Sequence, residues 1–205
     1  RICAFINVVS LSVGIAIFIF SQVLSEYERS YDLFFDDAED IYVPFVLIAP
    51  SAPIGLRVAP APMPAKQFLE SFDGVEKISV VIADTVVVKR DEEKFYQLVR
   101  FVDREFFEIF KFEFVHGDAV SVVGTPNSVG ISENLAEKYF GSENPIGKTI
   151  NINAQHLFTV KAVFKRLPQN SHFESTITGP SGFEMVINTD GYQNLTGYDG
   201  VGHWG

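Results

Sequence analysis

Residues 129–150 read VGISENLAEKYFGSENPIGKTI, and two incompatible structures compete for them. One is a phosphate-binding loop, because Gly141 followed by Gly147-Lys148-Thr149 approaches the G-x-x-x-x-G-K-[ST] pattern whose backbone N–H groups cradle phosphates. The other is a strand, a helix, a turn and a second strand. Spacing rejects the first, since five residues separate Gly141 from Gly147 where the loop needs four. Context rejects it again: the loop would have to follow a strand and open a helix, and here it follows a helical pattern and opens the alternating KTININ. Without a helix N-terminus there is no dipole and no fan of free N–H groups to hold the anion.

The second reading gives each residue a local reason. Val129 and Ile131 suit a short strand, Ser132 is a sound N-cap, and Glu133 sits in the first turn where the helix dipole favours a carboxylate. Leu135, Ala136, Tyr139 and Phe140 form one buried face, and Gly141 is the expected left-handed stop. Asn144-Pro145 makes a turn, and Gly147 lets the chain reverse into the next strand.

Working outward, LFTVKAVFKRL alternates as a strand running into Pro168, and KFYQLVRFVD is a further strand. REFFEIFKF reads as a compact helical turn ending near His116-Gly117-Asp118, and VEKISVVIADTVVVKR as a strand or hairpin. Ile41–Ala49 is strand-like, with Pro44 arguing for an edge or a bulge. The proline-rich run from Pro50 to Pro64 is a loop, and AKQFLESF a short amphipathic helix. The fold class predicted is α+β, with short helices packed on antiparallel or mixed sheets.

The N-terminus is of another kind. Ile2–Leu24 carries no charged residue, and a helix of that length reaches roughly 34 Å against a hydrocarbon core of ~30 Å. A cleaved signal peptide has a shorter apolar region and a small-x-small cleavage site, which SQVLSEYERSYD does not offer. A retained transmembrane helix is therefore expected. Asn7, Ser10, Gly14 and Ser21 fall within about 60° of one another around that helix, and such small residues let a neighbouring helix approach closely. Tyr27, Tyr31 and Phe34 follow at i, i+4 and i+7, predicting an aromatic stripe on a helix that continues beyond the membrane, at an interfacial belt, against a partner helix or seated on the adjoining domain. Arg1 and Arg29 balance, so charge leaves the orientation open.

Composition removes several function classes. A net charge of −10 with no long basic run argues against nucleic-acid binding. The single Cys3 rules out an internal disulfide framework and a cysteine-based zinc site, and His116, His156, His172 and His203 show no metal-binding spacing. No cofactor site is expected.

Several runs together have a family look: INVVSLSVGIAIFIF leading into YERSYDLFFDDAEDIYV, then FVDREFFEIFKFEFVHGD, and above all the opening stretch followed by FTVKAVFKRLPQNSHF. In order and spacing, from Ile6 to Phe173, they resemble the MacB-like periplasmic core domain of FtsX-type ABC transporter permeases. The resemblance implies a first transmembrane helix running from the cytoplasm into a two-lobed outer domain, one lobe of βαβ units and the other a mixed α/β insertion. Three more transmembrane helices are expected to follow that domain. It implies a bacterial inner-membrane permease that binds no nucleotide itself and moves with an ABC ATPase subunit, separate or fused. Also implied are a permease dimer, contact with membrane lipids and a periplasmic adaptor protein. On this reading residues 1–35 are the transmembrane helix and stalk and 36–205 the core domain. The chain, lacking an initiator methionine and stopping at GVGHWG, is expected to be a fragment of a longer permease.

Gly117, Asp118, Ser132, Gly141, Asn144, Pro145, Gly147 and Pro168 are turn and cap types, expected to hold the fold rather than touch a substrate. Lys148 has no evident acidic partner in the sequence pattern. A single-pass sensor or interaction module using the helix only as an anchor is the alternative. A membrane-tethered enzyme is disfavoured, because no G-x-S-x-G, histidine cluster or paired-acid motif occurs.

Overall fold

The computed structural model describes residues 2–47, 58–60, 65–90, 93–173 and 182–197. The 129–150 stretch forms strand β6 (Ser128–Ser132), helix α5 (Glu133–Phe140) and strand β7 (Thr149–Ile152), and β8 (His156–Phe164) follows. The Ser132 hydroxyl accepts the Leu135 N–H at 3.1 Å, capping α5, while Leu135, Ala136 and Tyr139 bury its inner face. β6 and β8 run parallel, so α5 and the inserted β7 form the crossover of a βαβ unit. The helix stops at Gly141 as expected, but not in the left-handed helical conformation: φ is +61° and ψ −132°, a region that a Cβ closes to other residues.

The hairpin of β3 (Val81–Arg90) and β4 (Glu93–Val102) is paired along its length, from Val81 opposite Val102 to Arg90 opposite Glu93. The run from Val75 to Arg90 thus supplies one strand, not a hairpin of its own. Between β4 and β6 lies β9 (Met185–Asn188), parallel to β4 and antiparallel to β6. Since β7 pairs with both β3 and β8, six strands close into a ring, β8-β6-β9-β4-β3-β7, and the short β5 (Phe114–His116) is added on the free side of β8.

Closure explains the core. Every strand of the ring contributes to one buried cluster, including Val88, Phe101, Ile131, Ile152, Phe158 and Ile187, with α5 and the C-terminal helix α6 (Thr189–Thr196) packed on it. Alternate residues on β4, β8 and β9 face outward and build a second cluster with α3 (Arg104–Ile109) and α4 (Ala119–Val123). This second cluster is unusually aromatic: Phe106, Phe107, Phe112, Phe164, Phe173 and Phe183 crowd together with ring centroids about 5–6 Å apart, most of them edge-on or tilted as the ring quadrupoles prefer.

α1 spans Ile2–Arg29 and is the one helix among the described residues long and apolar enough to cross a membrane. Two strands apart from the ring, β1 (Phe45–Leu47) and β2 (Val58–Pro60), pair with each other. Helix α2 (Ala65–Leu69), with the residues that lead from it to β3, forms a small lobe against α3. Of the proline-rich run expected to be a loop, residues 50–57 and 61–64 lie outside the described residues and 58–60 form β2.

The predicted helical stripe of Tyr27, Tyr31 and Phe34 is corrected. The helix ends at Arg29, the Ser30 hydroxyl donates back to the Tyr27 carbonyl at 2.7 Å, and Asp32 takes φ +58°. Tyr31 instead meets the ring of His172 at 5.0 Å, the seating on the adjoining domain that the residues also allowed.

Candidate functional site

The part of the molecule with most distinctive chemistry is where α1 leaves off and the outer domain begins. Two residues of the segment after β8, Asn170 and His172, grip the stalk. The Asn170 side-chain amide donates to the Ser30 carbonyl at 2.8 Å and to its hydroxyl at 3.0 Å. The Asn170 carbonyl accepts the Asp32 N–H at 3.0 Å. In turn the Asp32 carboxylate accepts the His172 N–H at 3.0 Å and lies 2.5 Å from His172 Nδ1. These bonds hold Asp32 in its left-handed turn, a conformation aspartate tolerates better than most residues. The phenol of Tyr31, beside this latch, is held above its ordinary range, first by its hydrogen bond with Tyr27, next by desolvation, and then by the charges of Tyr27, Glu28 and Asp32.

Below the polar latch is an apolar plug. Phe35 is buried, 6 % exposed, with its ring 5.0 Å from Phe110, 6.0 Å from Phe112 and 6.1 Å from Phe173. Phe110 in turn lies 4.9 Å from Phe106, which is fully buried. Lys111 flanks the plug, its Nζ 3.3 Å from Asp36 and 3.8 Å from Asp37. The end of the stalk is therefore part of the second core, not a tether lying over it.

The sequence-predicted residues fall elsewhere. Asn7, Ser10, Gly14 and Ser21 lie on α1, exposed and covered by no other part of the described chain. Of the motif residues, Gly147 and Gly117 lie against β8, and the others cap helices or shape turns. The Gly147 N–H donates to the Val160 carbonyl at 2.9 Å, and the Val160 N–H to the Lys148 carbonyl at 2.8 Å. Asn144 closes the preceding turn by accepting the Ile146 N–H at 3.0 Å, and Pro145 is buried beneath it. Gly117, at φ +69°, crosses β8 so closely that a Cβ there would lie 2.0 Å from the Lys161 carbonyl oxygen. Asp118 caps α4, accepting the Ser121 N–H at 2.7 Å and its hydroxyl at 2.9 Å, and these bonds hold its carboxyl below the usual carboxylate range. Pro168 lies exposed on the connection from β8 to Asn170. Lys148, expected to lack an acidic partner, is paired with Glu143, whose carboxyl it depresses, and its ammonium lies 5.2 Å over the Phe140 ring.

Sequence reasoning missed Ser30, Asp32, Phe35 and Lys111, and gave Asn170, His172 and Phe173 no role. The available signal was Asn170-Ser171-His172, a run of three polar, hydrogen-bonding residues on the connection that follows Pro168. Among the described residues no group of three His, Cys, Asp or Glu side chains gathers to hold a metal.

The profile of the MacB-like periplasmic core domain matches residues 4–200, from within α1 through the latch and past α6. The chain belongs to this family. No curated protein matches it. Among solved structures, the extracellular domain of the noncanonic ABC-type transporter YknZ from Gram-positive bacteria is similar, with TM-score 0.52 and 16 % identity over 68 % of each chain. Also similar are a domain of a putative permease protein from Porphyromonas gingivalis (TM-score 0.45, 20 % identity, 61 % of this chain and 55 % of that one) and the periplasmic region of MacB from Actinobacillus actinomycetemcomitans (TM-score 0.44, 17 % identity, 66 % and 71 %). The YknZ likeness supports the mixed α/β fold of a MacB-like domain, here carried on an N-terminal apolar helix.

Proposed function

We propose that this chain is the first transmembrane helix and outer domain of an ABC transporter permease of the MacB/FtsX type. An ATPase subunit in the cytoplasm hydrolyses ATP and displaces α1, and the outer domain follows to export or extract a substrate. Residues 1–35 form the membrane and stalk part and 36–205 the head, in a bacterial inner membrane with the head periplasmic. The stripe of Asn7, Ser10, Gly14 and Ser21 packs on sister transmembrane helices within a permease dimer. Lipids surround the remaining faces of α1, and a periplasmic adaptor protein meets the head. The chain itself is not an enzyme.

One observation carries this reading: the joint between α1 and the head is built from both hydrogen bonds and core packing. An anchor needs only a tether, whereas a transmitted displacement needs the two bodies to move together. A ligand or nucleotide shifts a conformational equilibrium only through contacts that differ between states, and a rigid joint delivers those differences to the head.

The test is purification in detergent from the native membrane, followed by ATPase measurement. An ATP-hydrolysing subunit is expected to co-purify, and its activity to change when the latch is cut by Asn170→Ala with Asp32→Ala. A protein that purifies without any ATPase, and whose native function survives loss of every such partner, would overturn the reading.

A further inference from the structure

We propose that residues 103–112 form a bridge that couples the stalk to the small lobe around α2, so that residues 30–41 and 65–80 loosen or hold together. The segment touches both neighbours with different chemistry on each side. Toward the stalk it offers Phe110, Phe112 and Lys111, which meet Phe35, Asp36 and Asp37. Toward the small lobe it offers Asp103 and Glu108.

Asp103 is the hub of that side. Its carboxylate accepts the Lys66 ammonium at 3.0 Å, the Ser79 hydroxyl at 2.6 Å and the Val80 N–H at 3.0 Å, while also capping α3 through the Phe106 N–H at 3.2 Å. One side chain thereby fixes α2, the strand entry at Ser79-Val80 and the start of α3. Burial acts to lower the Lys66 pKa, but the hydrogen bond and charge of Asp103 outweigh it and hold the ammonium above the ordinary lysine range. Glu108 adds a second grip, 2.9 Å from Lys77, which holds its carboxyl below the usual range.

The seam these grips span is polar. A cleft of about 330 Å³ lies between the small lobe and α3, and its lining includes Lys66, Glu70, Glu76, Lys77, Glu105 and Glu108. Attachment across it therefore depends on a few discrete contacts, unlike the Phe35 side, where a continuous aromatic core does the holding. Phe106 joins the two sides: its N–H is capped by Asp103, and its ring packs on Phe110, Phe112 and Phe173, the same rings that receive Phe35. A perturbation on either side reaches the other through this residue. The coupling needs only the contacts among residues 30–41, 65–80 and 103–112, while the motion it carries rests on the permease reading above.

Native-state hydrogen exchange on the whole protein in detergent tests the bridge. Asp103→Asn keeps the shape and the cap acceptor but removes the charge that holds Lys66. It is expected to speed exchange at Glu70, Ser71, Phe72 and Val80, and also at Phe35, Asp40 and Ile41, by about tenfold. Phe35→Ala is expected to speed both sets as well, because coupling between sites is reciprocal. Lys66→Met, a milder change on the surface, repeats the Asp103→Asn pattern without touching the α3 cap. In all three variants the amides of β6 and β8 keep their protection. If each variant loosens only its own side, the bridge is refuted. Adding the ATPase and nucleotide separates the two ideas: no response of either segment refutes the permease reading, and the reciprocal effect of the variants decides the bridge independently.

Discussion

Replacing Phe35 by alanine removes the side chain that seats the stalk in the aromatic core. The ring is 6 % exposed and lies against Phe110, Phe112 and Phe173. Phenylalanine-to-alanine changes in cores cost about 3–5 kcal/mol, the sum of lost transfer free energy and the cavity left behind. Phe35 sits in a surface segment whose neighbours can partly collapse into the space, so the lower end, about 3 kcal/mol, applies. The loss falls on the joint, because the ring of six strands and its own cluster do not include Phe35. At about 1.4 kcal/mol per factor of ten, opening of residues 30–41 becomes roughly a hundredfold more frequent. Hydrogen exchange reads this directly at the Phe35 N–H, bonded to the Asp32 carbonyl at 3.0 Å, and at the Asp40 N–H, bonded to Asp37 at 2.9 Å. Exchange at these amides that stays within about threefold of wild type would refute the plug. So would an equal loss of protection across β6 and β8, which would make Phe35 an ordinary stabiliser of the whole domain.

Asn170→Ala deletes both side-chain bonds to Ser30 and is expected to cost about 1–2 kcal/mol at the joint, seen as faster tryptic cleavage after Arg29 with little change in the melting temperature of the head. Gly117→Ala brings a Cβ to 2.0 Å from the Lys161 carbonyl at a positive φ. It is expected to destabilise the head by about 3 kcal/mol, lowering Tm by roughly 10 °C in a thermal melt; an unchanged Tm would sink the close-approach argument. Tyr139 has its pKa pushed up to about 12, mainly by burial and then by the charge of Glu184. A raised folded pKa means its contribution is complete below the unfolded value near 10 and is lost as pH rises toward 12. Urea midpoints measured from pH 9 to 12 are expected to fall in that window, by about 2 kcal/mol from this group, and to fall less in Tyr139→Phe.

The β6-α5-β7-β8 unit was legible because its signals are local. A capping serine, a four-residue apolar face and a glycine stop all lie within the ten residues from Ser132 to Gly141, and each acts on its own turn of chain. β9 was not legible: its four residues are buried on both faces, so they carry no alternation, and its place beside β4 depends on a strand far away in the chain. AVSVV, apolar and β-branched, forms helix α4 because Asp118 caps it and Val122 docks on the sheet, a tertiary override of local propensity. At Gly141 the glycine stop was predicted correctly, but its backbone took φ +61° and ψ −132°, outside the left-handed helical conformation expected.

The amino-acid order by itself determined the membrane-length helix, the capped α5 unit and the failure of the phosphate-loop pattern, because hydropathy, capping and spacing act between residues close in the chain. Only the tertiary structure decided that the stalk ends inside an aromatic core and is latched by Asn170 and His172. The partners in that latch stand 140 residues apart, and no periodicity reaches that far; they meet because the closed ring of strands returns the chain from β8 to the foot of α1.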